Sequence, residues 1–230
     1  MSDDKYRHKW WGWGLEGIEY DMDARPSLWP WIRQKGELGD NPVLWPRVDL
    51  SEIRLPPARN TESLASALRM VVGDCNVRGD DDDRLVHCYG RSYRDVARLR
   101  AGIVDTAPDL VVYPGGHDDV VRIVELATQH GATLVPFGGG TNVAGCVERT
   151  AHDSRPGITL DMRRMNRLLA VDAQSRTADL EPGLFGPQIE PPPWKVRIQL
   201  RSQPALRTLQ ERLESFQLHF HRVCGLLPRK

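Results

Sequence analysis

The sequence predicts an α+β fold in which a βαβ unit and further strands follow a Trp-rich, irregular and helical amino-terminal region. Three observations carry that prediction. Leu110-Val-Val-Tyr113 is a short β-branched and aromatic run ended by Pro114 and two glycines, the pattern of a buried strand. Asp118 to His130 spaces Val120, Val121, Val124 and Ala127 as a helix, with acids in the first turn and Gly131 after the last. Thr133–Phe137 is apolar and runs straight into Gly138, Gly139 and Gly140, which completes a unit of βαβ size.

The other elements follow from the same reasoning. Glu62–Val72 reads as a helix with Leu64, Ala67, Leu68 and Val71 on one face and Gly73 behind it. Ser92-Tyr-Arg-Asp95 opens another with a capping box. Ile158–Asp161 is a strand, and Leu168–Asp172 and Thr177–Glu181 form a hairpin around Ala173-Gln-Ser-Arg176. Trp10, Trp11, Trp13, Trp29, Trp31 and Trp45 crowd the first 60 residues, where large aromatics of an irregular arm are expected to pack on the globular body. Asp80-Asp-Asp-Asp83 reads as an exposed acidic loop, since no Gly or Glu follows at EF-hand spacing.

Pro136-Phe-Gly-Gly-Gly-Thr-Asn-Val143 is the candidate site. Glycine tolerates positive φ and close approach, and successive N–H groups in such a bend converge into a nest for an anion such as pyrophosphate. No Gly-x-Gly-x-x-Gly enters a helix and no Gly-Lys-Ser/Thr is present, so the two commoner nucleotide loops do not apply. No catalytic and no metal-ligating residue is assigned. Asp161 and Asp172 read as strand-end residues, Arg91 and Arg94 as solvated or ion-paired, and His219-Phe-His221 lacks further ligands.

In order along the chain, Pro108-Asp-Leu-Val-Val-Tyr-Pro114, His117–Val124, Pro136–Thr141, Leu160-Asp-Met-Arg-Arg-Met-Asn166 and Ala178-Asp-Leu-Glu-Pro-Gly183 resemble the first half of a PCMH-type FAD-binding domain of the vanillyl-alcohol oxidase / p-cresol methylhydroxylase superfamily. Lys9-Trp-Trp-Gly-Trp-Gly14 and Tyr89–Gly102 are similar to the alkyldihydroxyacetonephosphate synthase (alkylglycerone-phosphate synthase) family within it. The resemblance covers roughly residues 8 to 190. It implies FAD whose pyrophosphate is met by backbone donors of Gly138, Gly139, Gly140, Thr141, Asn142 and Val143, with side-chain donors from Thr141 and Asn142. Some superfamily members attach the flavin through a nearby histidine; none lies between Gly131 and Ala151, so non-covalent FAD is expected. The activity implied is exchange of the acyl chain of an acyl-dihydroxyacetone phosphate for a fatty alcohol, in ether-lipid biosynthesis. Other readings are a non-catalytic flavin-binding fragment or partner module, and a FAD-linked 2-hydroxyacid oxidase relative, against which the Trp-Trp-Gly-Trp-Gly start argues.

The resemblance stops where Pro191, Pro192 and Pro193 arrive, before the family's second flavin segments and its catalytic tyrosine and histidines. The expected organisation is an amino-terminal region over 1–103, a partial FAD-binding domain over 104–190 and a divergent basic tail over 191–230. From Pro191 the chain holds eight Lys/Arg against two acids, a net +6 that offsets −6 elsewhere. The tail reads either as a frameshifted or mispredicted gene end, which leaves the chain inactive alone, or as a helix with Leu206, Leu209, Leu213, Phe216, Phe220, Val223 and Leu227 at heptad spacing. The zero net charge argues against nucleic acid as a partner, and no apolar run is long enough to span a bilayer. Cys75, Cys88, Cys146 and Cys224 lack close pairing or metal spacing, which predicts a cytoplasmic protein. Expected partners are FAD, the lipid-type phosphate substrate of full-length relatives, and a second copy in a homodimer.

Overall fold

The computed structural model describes residues 7–188 except 20, 22, 23, 39–46, 151, 173, 176, 186 and 187. Trp45, Cys224, the His219/His221 pair, the proline run and both readings of the tail lie outside the described residues.

Helix α1 (Leu28–Lys35) lies in the Trp-rich, irregular and helical amino-terminal region. Trp29 lies partly covered there, whereas Trp31 is 57% exposed. Then come α2 (Glu62–Val72), β1 (Val77–Arg78), α3 (Asp81–Val86) and α4 (Tyr93–Arg100). The acidic run is not the loop expected of it. Asp80 is the N-cap of α3, its carboxylate accepting the Asp83 N–H at 3.2 Å. Asp81 to Asp83 fill the first turn, where negative charge meets the positive end of the helix. In α4 both capping-box bonds between Ser92 and Asp95 form.

β2 (Leu110–Val112), α5 (His117–Gln129), β3 (Thr133–Phe137) and β4 (Gly157–Asp161) build the sheet, and β5 (Leu168–Asp172) with β6 (Thr177–Leu180) forms the antiparallel hairpin. The sheet order is β1-β2-β4-β3, with β2, β4 and β3 mutually parallel and β1 antiparallel on the outer edge. The two strands of the βαβ unit are therefore not neighbours. β4 is inserted between them, pairing Leu110 with Ile158 on one side and Thr133 with Gly157 on the other. A strand paired on both edges and covered on both faces reads as continuously apolar, and every residue of β4 is buried. β3 takes the edge and is only half covered, so Pro136, which has no N–H to donate, is tolerated there.

One core joins α2, α5 and the sheet through Leu64, Leu68, Leu110, Val112, Ile123, Ile158 and Leu160. α5 turns Val120, Ile123 and Ala127 inward, while Val121 and Val124 stay about two-fifths exposed. Its buried stripe is thus rotated from the expected one, with Ile123 at the centre. Gly131, at φ +61°, ends α5 in the left-handed conformation, and the Ala132 N–H returns to the Ala127 carbonyl. A second core gathers Ile53, Leu85, Cys88, Tyr89, Leu99 and Val104, with Trp10 packed against it. Burial pushes the Cys88 thiol up to about 12, which keeps it an inert apolar filler. Among the described residues no helix is long and apolar enough to cross a membrane.

Candidate functional site

The carboxy-terminal ends of β2, β3 and β4 lie on one edge of the sheet, and the candidate segment leaves from it. Phe137, the last residue of β3, is 3% exposed and packs against the His87 ring with centroids 4.5 Å apart. Gly138 and Gly139 are half-buried, and Gly140 is buried at φ +67°. A Cβ on Gly140 would lie 2.7 Å from the Phe137 ring, and one on Gly139 would lie 3.3 Å from Phe185. The bend therefore needs glycine for its own packing as well as for its conformation. Thr141 is half-buried, Asn142 is 4% exposed and Val143 is 55% exposed.

Asn142 holds the loop through its side-chain oxygen and its backbone carbonyl. Its Oδ1 accepts the N–H groups of Ala144 at 3.1 Å and Cys146 at 3.0 Å, and its backbone carbonyl accepts the Arg91 N–H at 2.6 Å. Gly90 permits that approach, since a Cβ there would overlap the Asn142 carbonyl. The Trp13 indole N–H donates to the Arg91 carbonyl at 2.9 Å, which ties the amino-terminal arm to the same point. By contrast, the backbone N–H groups of Gly139, Gly140, Thr141, Asn142 and Val143 make no hydrogen bond among the described residues. Five successive open donors are the chemistry that a multiply charged oxyanion satisfies.

Beneath the bend lies a buried ion network that sequence reasoning missed. His87 and Asp161, read from sequence only as a strand end, are both fully buried and 2.8 Å apart. The other His87 nitrogen faces the Asp83 carbonyl at 2.6 Å. Asp161 also accepts the Arg163 backbone N–H at 2.8 Å and its guanidinium at 2.7 Å. Burial alone would push the Asp161 carboxyl up; the His87 hydrogen bond and charge, with Arg163, outweigh it and hold the carboxyl below its ordinary value. Burial and the Asp161 charge push the Tyr113 phenol up, so it stays a donor, to Asp83 at 2.8 Å. No short-range signal pairs residues 74 positions apart, so this network is legible only once the strands are ordered.

Arg91 departs from expectation. It is 5% exposed and makes no ion pair among the described residues; its Nε and one Nη lack a partner, and burial lowers its pKa. Arg94 is exposed, as expected of a solvated arginine. Asp172 turns the hairpin by accepting the Gln174 and Ser175 N–H groups. Gly12-Trp-Gly14-Leu-Glu-Gly17 has dinucleotide-loop spacing, yet it forms a turn closed by a bridge between His8 and Leu15, and no helix follows directly. His8 belongs to the site instead, its ring 3.6 Å from where a Gly140 Cβ would stand.

A family model described as an FAD binding domain matches residues 108–197. The chain is 39% identical over 200 residues to an alkyldihydroxyacetonephosphate synthase of Trypanosoma brucei brucei, covering 79% of this chain and 33% of that protein. It is 33% identical over 218 residues to the protein of the same name from Dictyostelium discoideum, covering 85% and 36%. A solved alkyldihydroxyacetonephosphate synthase superposes with a TM-score of 0.71 at 31% identity, covering 81% of this chain and 38% of that one. The chain thus spans about a third of the length of the relatives it matches. Over that third it is similar in sequence and fold to the alkyldihydroxyacetonephosphate synthases, and the match to an FAD binding domain falls within it.

Proposed function

We propose that the chain binds FAD non-covalently, the backbone N–H groups of Gly139 to Val143 meeting the diphosphate, within an alkylglycerone-phosphate synthase type of protein. The observation that carries this reading is the run of five donors without a partner among the described residues, on a bend where a side chain at Gly140 would press on Phe137. Charge-assisted N–H contacts are shorter and roughly twice as strong as neutral ones. Pro136, Phe137 and Gly138 deliver the bend: Phe137 anchors it on His87, and the edge strand sets its direction. Asn142 fixes its far end through Ala144 and Cys146.

Bound FAD would supply the electron-accepting flavin ring, in a reaction that exchanges an acyl chain for a fatty alcohol on a dihydroxyacetone phosphate. The described residues of this chain contribute binding and orientation. Ether-bond formation, the lipid-type phosphate substrate, a homodimer and a cytoplasmic setting are part of the proposal.

The test is titration of the purified chain with FAD, followed by flavin fluorescence. Saturable binding is expected, with all flavin released on denaturation, and with affinity at least tenfold weaker in Gly140→Ala. Absence of saturable binding by the folded chain, or flavin that stays attached after denaturation, contradicts the reading.

A further inference from the structure

The same sheet edge carries a cleft that the glycine bend does not use. It has a volume of about 260 Å³ and lies where β1 and β2 meet the turn after β4. Arg7, Arg78, Arg163 and Arg164 line it, with the Tyr113 ring and, among the described residues, the one carboxylate Asp83. Four guanidinium groups around one cleft repel one another unless acids or a ligand intervene. Asp83 is already engaged by the Tyr113 hydroxyl and by Arg78 at 3.1 Å.

Each arginine is braced on one side. Arg163 turns its Nε and one Nη to the buried Asp161, and Arg78 turns its Nε to Asp80 at 2.8 Å. Arg7 contacts Glu16 at 3.1 Å. Arg164 differs: it donates once, to the Tyr113 carbonyl at 2.6 Å, and makes no ion pair among the described residues. Bracing through Nε leaves Nη donors of Arg163 and Arg78 in hand, and a planar fork fixed on one edge is pre-organised for two-point contact with an oxyanion. The volume falls just under the roughly 300 Å³ at which drug-sized pockets begin. It admits a phosphate group with room to spare, and it is the guanidinium lining that favours an oxyanion.

We propose that this cleft is a second anion site, taking a small phosphate-type dianion independently of the glycine bend. Arg164 and Arg78 supply its adjustable donors, and Arg163 a fixed one held by Asp161. The reading does not depend on FAD occupying the bend. It places two phosphate-class sites side by side on one edge, with Arg7 in the cleft and the adjacent His8 against Gly140.

The experiment is calorimetric titration of the full chain with inorganic phosphate at low ionic strength, repeated with FAD present. Three variants are compared: Arg78→Gln/Arg164→Gln, the charge-matched surface control Arg94→Gln/Arg122→Gln, and Arg164→Lys, which keeps the charge and loses the fork. Saturable binding of one phosphate is expected. The cleft variant should weaken it at least tenfold, Arg164→Lys severalfold and the control less than twofold, with FAD affinity changed less than threefold in all. The proposal is overturned if the folded chain binds no phosphate saturably, if the control weakens binding as much as the cleft variant, or if phosphate and FAD exclude one another.

Discussion

The two ends of the parallel strands make opposite use of polar groups. At the amino-terminal end, Asp109 is 2% exposed and accepts four hydrogen bonds: the Gly157 N–H at 2.7 Å, the Arg59 N–H at 2.8 Å, and the guanidinium groups of Arg59 and Arg149 at 3.3 and 3.4 Å. Arg149 in turn donates to the carbonyls of Asp153 and Arg155, and Arg84 to those of Pro56 and Pro108. That end is closed by the chain itself. At the carboxy-terminal end the side chains are equally organised, yet among the described residues five backbone donors have no partner and Arg164 has no ion pair. Polar groups that cross-link segments distant in sequence hold the fold together; those left open at an ordered edge are the ones the proposed ligands would engage.

The largest effect is expected from breaking the closed end. Asp109→Ala strands Arg149 in a buried position without its carboxylate, and loss of one partner of a buried pair costs about 3–5 kcal/mol. Urea unfolding should show it, and a loss below 1 kcal/mol would mean that the end is not held in this way. Asn142→Ala removes the acceptor of two loop N–H groups, which costs about 1–3 kcal/mol. It should also weaken FAD through a disordered loop. Unchanged stability would show that the loop keeps its shape without that amide.

Gly140→Ala places a side chain in the left-handed region, at a cost of about 1–2 kcal/mol, and its Cβ presses on Phe137. Here binding should suffer more than folding, with FAD affinity reduced more than tenfold while urea unfolding stays cooperative. Equal affinity for the variant and the parent protein would separate the bend from the ligand.

The smallest effect is one of pH. Asp161 is held below its ordinary value against burial, Asp153 is lowered to about 2 by the Arg155 hydrogen bond, and Glu181 is lowered by Arg167. For each, the folded pKa lies under the unfolded one, so the unfolded chain takes up more protons on acidification. The stabilisation is present above the unfolded carboxylate pKa of about 4 and is lost as pH falls through the folded values. Urea midpoints should fall between pH 5 and pH 3; a midpoint that rises over that range contradicts the sign.

Local chemistry made much of the fold legible. Helical spacing, the Ser92 cap, the Gly131 stop and the strand before the glycines are short-range signals, and the structure contains each. The position of β4 between β2 and β3 was not legible, because strand order depends on long-range pairing that no local pattern encodes. The same holds for His87 with Asp161, for the four-bond Asp109 junction and for His8 beside Gly140. Asp80 to Asp83 were misread because four acids suggest a solvated loop, whereas the N-cap and first turn of a helix favour the same residues. The bend itself could be found from its three glycines, but not the inward use of the Asn142 side chain, which follows from where Ala144 and Cys146 come to lie.

The central claim is that the open amides of Gly139 to Val143 meet a diphosphate. Amide resonances of the isotope-labelled chain, recorded during titration with FAD, test it most directly. The account predicts that these five amides shift together and saturate, while those of the closed end around Asp109 and Gly157 stay in place. Saturable FAD binding that leaves the five amides unmoved would contradict it.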